Sequence, residues 1–264
     1  MIIIGELINS TRKSIAQAIE QRDKAYLQEL ARKQAEAGAH FIDLNAAVST
    51  NEVEAIKWLV EIVQEAVDVP LCIDSPSSEA LRAGLSVCKN RAMVNSITAE
   101  KERWDEVLPL VKEYGAKVIA LCMDDNGMPE SVEERLQVAD NLVSALTAEG
   151  VAEEDIFLDP LIKPLSINHL FGLEALQSTN LIRQKYPKVH IVPGLSNISF
   201  GLPERRLLNR AFMVMGTAMG MDAFILDPLD GAIMSLLTAS RALVGQDEYS
   251  MNYITGVRAG NIKA

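Results

Sequence analysis

The stretch Gly194-Leu195-Ser196-Asn197-Ile198-Ser199-Phe200-Gly201-Leu202-Pro203-Glu204-Arg205 follows the short β-branched run His190-Ile191-Val192-Pro193 and leads into a helical pattern that starts near Pro203. A polar pair, Ser196 and Asn197, therefore sits where a strand hands over to a helix. In a (β/α)8 barrel such junctions form one face, the face at which side chains from distant parts of the chain meet.

Upstream of this stretch the same unit recurs. Ile2-Ile3-Ile4 ends at Gly5-Glu6, and a helical pattern runs from Thr11 to Ala37 with Gly38 as its stop. His40-Phe41-Ile42-Asp43-Leu44-Asn45 reads as a second strand, followed by Val53, Ile56, Val60, Val63 and Val67 at helical steps. Leu71-Cys72-Ile73-Asp74, Ala92-Met93-Val94-Asn95, Val118-Ile119-Ala120-Leu121 and Ile156-Phe157-Leu158-Asp159 each precede a helix. Downstream, Ala223-Phe224-Ile225-Leu226 ends at Asp227-Pro228 before a last helix through Ile233 and Leu237, and the tail from Gly245 has no clear pattern. Eight strand-then-helix units predict parallel pairing with right-handed crossovers, closed into a TIM (β/α)8 barrel, with an open doubly wound sheet as the alternative. A length of 264 residues, nearly half of them apolar, suits one domain spanning 1–264.

Bulk properties exclude several classes of function. The formal charge is -11 and no block of Lys and Arg stands out, so a nucleic-acid backbone is not the expected partner. Cys72, Cys88 and Cys122 are odd in number and lack paired metal spacing, which favours reduced thiols in a cytoplasmic protein. The apolar run Met1 to Ile4 is too short for a signal peptide, and no stretch is long enough to span a membrane. Asp124-Asp125-Asn126-Gly127 lacks the register of a calcium loop, so no metal site is expected. His40, His169 and His190 are scattered and read as packing or solvent-facing residues, and Met213, Met215, Met219 and Met221 as core filler.

Six of the eight strand ends carry a carboxylate or amide: Glu6, Asp43 with Asn45, Asp74, Asn95, Asp159 and Ser196-Asn197; Asp227 adds a seventh, and Asp124 follows the fifth strand. Without a glycine-rich phosphate loop, and with few cations at these ends, the set disfavours a phosphorylated substrate. Ionised Asp accepts hydrogen bonds and Asn does both, which matches a flat heterocycle rich in N–H groups, such as a pterin.

Read through Ile4-Gly5-Glu6-Leu7-Ile8-Asn9, Gly38-Ala39-His40-Phe41-Ile42-Asp43-Leu44-Asn45, Leu71-Cys72-Ile73-Asp74-Ser75, Arg91-Ala92-Met93-Val94-Asn95-Ser96, Asp159-Pro160-Leu161-Ile162 and Gly194 to Ser199, the sequence resembles the methyltetrahydrofolate:corrinoid protein methyltransferases. These are pterin-binding barrels related to the folate domain of cobalamin-dependent methionine synthase and, more distantly, to dihydropteroate synthase. The resemblance implies a methyltransferase that moves a methyl group between N5 of tetrahydrofolate and cobalamin held on a separate corrinoid protein, in a chain that is itself a homodimer. It implies that Asp74, Asn95 and Asp159 hold the pyrimidine edge of the pterin. Asn197 contacts the N5 region as the catalytic residue, and Arg205 orders its loop. Glu6, Asp43 and Ser196 line the mouth without a separate task. Dihydropteroate synthesis, with Lys163 as a thin candidate for the diphosphate site, and a non-catalytic folate-binding barrel are the competing readings.

Overall fold

A computed structural model describes residues 1–262. The eight strands are β1 (Ile2–Asn9), β2 (Phe41–Asn45), β3 (Leu71–Asp74), β4 (Met93–Ala99), β5 (Lys117–Asp124), β6 (Ile156–Asp159), β7 (His190–Ile191) and β8 (Ala223–Leu226). All pair in parallel in the order β7-β6-β5-β4-β3-β2-β1-β8. One parallel bridge between Gly194 and Ile225 joins the outer strands and completes the cylinder, which removes the open-sheet alternative.

Helices fill every crossover. β1 is followed by α1 (Lys13–Glu20) and α2 (Lys24–Glu36), and the next strands by α3 (Glu52–Val63), α4 (Ser78–Leu85), α5 (Lys101–Glu113), α6 (Val132–Ala148), α7 (Phe171–Lys185), α8 (Arg205–Met219) and α9 (Gly231–Leu243). The pattern from Thr11 to Ala37 is thus two helices, not one. Arg22 takes a left-handed conformation at φ 54°, and the Asp23 carboxylate accepts the Tyr26 N–H at 3.1 Å to start α2 afresh. The tail holds a further helix, α10 (Met251–Arg258), nucleated by Asp247, whose carboxylate accepts the Asn252 and Tyr253 N–H groups.

Strands buried on both faces are continuous apolar runs because helices cover one side and the barrel interior the other. The inner layer takes one side chain from each strand or its extension: Ile4, Phe41, Cys72, Met93, Ile119, Phe157, Val192 and Ala223. This is a packed floor, as expected of a barrel of this strand number. Phe157 meets the edge of Phe41 at 6.5 Å and stacks on His190 at 4.5 Å, so His190 belongs to that packing. Met213 and Met221 are buried, whereas Met215 and Met219 face outward and fill no core.

A polar residue in the wall has a specific reason to be there. The register of β1 shifts between Gly5 and Ile8, which leaves the Leu7 N–H without a strand partner, and Gln34 of α2 supplies Oε1 at 3.1 Å. A Cβ on Gly5 would lie 2.5 Å from that oxygen, so only glycine admits the contact. At the start of α6, Ser131 Oγ accepts the Glu134 N–H at 3.1 Å and Glu134 returns a bond to the Glu130 N–H at 2.7 Å. Ser131→Ala removes this cap and should lower stability by about 1 kcal/mol, read from the urea midpoint.

Candidate active site

Side chains alternate along a strand, so positions two residues above the floor point into the same interior. There the chemistry changes: Glu6 stands above Ile4, Asp43 and Asn45 above Phe41, Asp74 above Cys72, Asn95 above Met93, and Asp159 above Phe157. Register then aligns them across strands, with Asn9 opposite Asn45, Asn45 opposite Asp74, and Asp74 opposite Asn95. The acidic and amide groups of four strands therefore form one row.

Hydrogen bonds tie the row together. Asn45 Nδ2 donates to Asp74 Oδ2 at 3.0 Å, while Asn45 Oδ1 accepts Ser10 Oγ at 2.8 Å. Asn95 Nδ2 donates to Asp43 Oδ1 at 3.4 Å. Asp159 is held by backbone: the Leu161 N–H reaches Oδ1 at 2.8 Å and the Gly194 N–H reaches Oδ2 at 3.2 Å.

Burial sets the electrostatics. Asp43 is fully enclosed, and loss of water, reinforced by the charge of Asp74, pushes its carboxyl well above the usual range. Asp74 is raised chiefly by burial, against the Asn45 hydrogen bond and the positive charge of Arg103. Burial lifts Asp159 to about 6, with its two backbone N–H bonds and Arg135 opposing. Glu6 is raised by burial, with Arg12 opposing at 3.0 Å. Burial that raises all four carboxyls marks this end of the barrel as the place where a polar ligand's hydrogen bonds would count most.

On the far side of the opening, residues Leu195–Ser199 make one turn of 3-10 helix before α8. Arg205 fastens that turn, donating from Nε to Ser199 Oγ at 3.1 Å and from a terminal nitrogen to the Ser196 carbonyl at 2.8 Å. Asn197 is exposed, and its side-chain amide has no hydrogen-bond partner among the described residues. Its Nδ2 lies 2.9 Å from the point where a Gly194 Cβ would stand, and Asp159 Oδ2 lies 3.8 Å from the same point. Ser196, Glu6, Arg12, Arg206 and Asp227 line an adjoining cavity of about 200 Å³ between β1, β8 and α8. Asp74, Asn95, Asp159, Asn197, Arg205, Glu6, Asp43 and Ser196 thus all stand at the carboxyl end of the barrel.

Three supporting residues escape a reading by strand ends. Arg103 of α5 ties the loop after β3 to β4, donating to the Ser75, Pro76 and Ser96 carbonyls at 2.8, 2.6 and 2.9 Å. Arg135 is 1 % exposed, donates to Ser178 Oγ at 3.1 Å, and its charge opposes the rise of the Asp159 carboxyl. Its position on the buried stripe with Val138, Ala139 and Leu142 is a signal the sequence carries: a cation on an apolar helix face needs an acidic neighbour. Ser10 has no such signal.

Comparison with known proteins agrees along the chain. The family model described as pterin binding enzyme matches residues 5–227. The chain is 39% identical over 99% of its length to a methylcorrinoid:tetrahydrofolate methyltransferase of Eubacterium limosum, 98% of which is covered. It is 29% identical to a methionine synthase of Mycobacterium tuberculosis over 85% of this chain, which covers 20% of that larger protein. Among solved structures, a dihydropteroate synthase from Xanthomonas albilineans in complex with 7,8-dihydropteroate superposes with a TM-score of 0.69 at 18% identity, covering 92% of this chain and 93% of that one, a likeness of fold.

Proposed function

This chain belongs to the family of pterin-binding enzymes, and from that premise we propose that it is a methyltransferase acting between N5 of tetrahydrofolate and the cobalt of a corrinoid protein. The observation that carries the reading is the end-to-end identity with the Eubacterium limosum methylcorrinoid:tetrahydrofolate methyltransferase, joined to a site whose inner face offers acceptors and amides in one row.

Asp74, Asn95 and Asp159 receive the N–H groups of the pterin's pyrimidine edge, since ionised carboxylates only accept and the Asn95 amide meets a carbonyl or a ring nitrogen. Asn197, across the opening, reaches N5. In the folate-demethylating direction the reduced cobalt's electron pair forms the cobalt–carbon bond as the carbon–N5 bond breaks, and N5 gains a proton. In reverse, N5 attacks the methyl group on cobalt and sheds its proton. Either way charge changes at N5, and a neutral amide that can donate or accept follows it without carrying a fixed charge. Arg205 keeps the Asn197 turn in place, while Glu6, Asp43 and Ser196 complete the wall.

The partner is a corrinoid-bearing protein, and the loops around the opening offer it contacts: Val48, Met128, Ile167 and Phe200 are all exposed. An apolar groove of about 760 Å³ between α8 and α9, lined by Leu207, Val214, Met215 and Leu236, supports a homodimer through the outer wall, which sedimentation reads as twice the chain mass. Residues 1–264 act as a single barrel domain. A cytoplasmic setting fits three free cysteines and the absence, among the described residues, of a helix able to cross a membrane.

The test is an absorbance assay of the purified protein with methyltetrahydrofolate and cob(I)alamin, then with methylcobalamin and tetrahydrofolate. Loss of the cob(I)alamin band, or its appearance in the second mixture, is expected; no change in either mixture rejects the reading. Folate affinity should also depend on pH. With its carboxyl raised from 3.8 to about 6 by burial, ionised Asp159 costs the free protein stability above about pH 6, and that cost fades as pH falls toward 3.8. Ligand N–H groups favour the ionised form, so the dissociation constant should rise by up to about tenfold per pH unit below about pH 6. Calorimetry reads the slope, and Asp159→Asn should flatten it.

A further inference from the structure

The geometry points to Gly194 as a positioning residue for the reaction, one that sets the direction of the Asn197 amide by having no side chain; this rests on the role given to Asn197 above. Gly194 takes part in three contacts. Its N–H donates to Asp159 Oδ2 at 3.2 Å, its carbonyl accepts the Asn197 N–H at 3.1 Å, and its backbone makes the bridge to Ile225 that joins β7 to β8. The group beside its bare Cα is the Asn197 amide, with Nδ2 2.9 Å from a built Cβ. Outside its chain neighbours, the next nearest atoms are Asn197 Cγ at 3.7 Å and Asp159 Oδ2 at 3.8 Å, both at ordinary contact distance.

The backbone at Gly194, φ -69° and ψ 80°, is open to alanine, so conformational freedom is not why glycine stands there. Space is the reason. An added methyl group evicts one thing, the far end of Asn197, and leaves the pterin-edge carboxylate where it is. The structure therefore separates two effects: alanine at 194 disturbs turnover through N5 and spares the binding of the ring.

Four full-length proteins test this: the unaltered chain, Asn197→Ala, Gly194→Ala and the double variant. Each is assayed for methyl transfer to cob(I)alamin, for folate affinity by calorimetry and for its thermal midpoint. Gly194→Ala should lower kcat by roughly 10², the scale of a misplaced transition-state donor, with folate affinity changed by less than about threefold. The double variant should be no slower than Asn197→Ala within about threefold, because two changes that remove one interaction do not multiply. Multiplying losses, or full turnover by Gly194→Ala beside a disabled Asn197→Ala, overturns the inference. If Gly194→Ala melts lower, deleting the Asn197 amide in the double variant should restore the midpoint, and failure to do so also overturns it.

The two readings can fail separately. If Asn197→Ala turns over at full rate, the role of Asn197 at N5 is lost, yet the steric claim is still read by proton–nitrogen correlation. The Asn197 side-chain amide signal, identified by its loss in Asn197→Ala, moves in Gly194→Ala if glycine sets its direction and stays put if it does not.

Discussion

Asn197→Ala is expected to lower kcat by roughly 10², the usual cost of removing one donor aimed at charge that develops in the transition state, while tetrahydrofolate should still bind. The amide is exposed and makes no hydrogen bond among the described residues, so its truncation leaves no orphaned partner and costs the fold little. A change confined to turnover is therefore the signature. Stopped-flow absorbance of the corrinoid, with calorimetry of folate on the same preparation, separates the two quantities. Undiminished turnover by Asn197→Ala removes it from the mechanism.

Asp74→Ala should behave in the opposite way, weakening folate binding by roughly 1 to 3 kcal/mol, the penalty for ligand N–H groups left unpaired in a desolvated site. It has a structural cost that Asn197 lacks, since Asn45 Nδ2 loses its acceptor at 3.0 Å. Asp74→Asn keeps the shape and an acceptor oxygen but loses the charge, so its affinity should fall between wild type and alanine. Calorimetry beside a thermal midpoint decides the matter, and wild-type affinity in a folded Asp74→Ala protein would falsify the assignment.

How much of this was legible in the sequence follows from what each feature depends on. Strand identity and the polar strand ends depend on local alternation, Phe41 then Asp43 then Asn45, or Phe157 then Asp159, and such a pattern is visible without coordinates. The break between α1 and α2 is not visible that way, because it rests on a left-handed Arg22 where glycine is the usual marker. Arg103 and Ser10 were silent for another reason. Their partners are backbone carbonyls and an amide brought near by barrel closure, and no periodicity encodes those. Arg135 was legible in principle, as a cation on a buried stripe, but the groups that answer it, the Ser178 hydroxyl it donates to and the charges of Glu174 and Asp159, come from α7 and β6. The tail lacked a strong stripe because α10 buries no residue completely.

One further consequence comes from the way the cylinder is joined. Seven neighbouring strand pairs are held by ladders of at least two residue pairs, while β7 and β8 are joined by the Gly194–Ile225 bridge and, below it, by Asp222, whose N–H donates to the Ile191 carbonyl at 3.3 Å and whose carboxylate accepts the Ile191 N–H at 2.8 Å. That seam lies immediately below the turn that bears Asn197, and amide exchange is expected to be faster there than along the seven ladders. A turn seated on such a seam can shift while the ladders stay intact, the weakest stave of the cask yielding before its other staves.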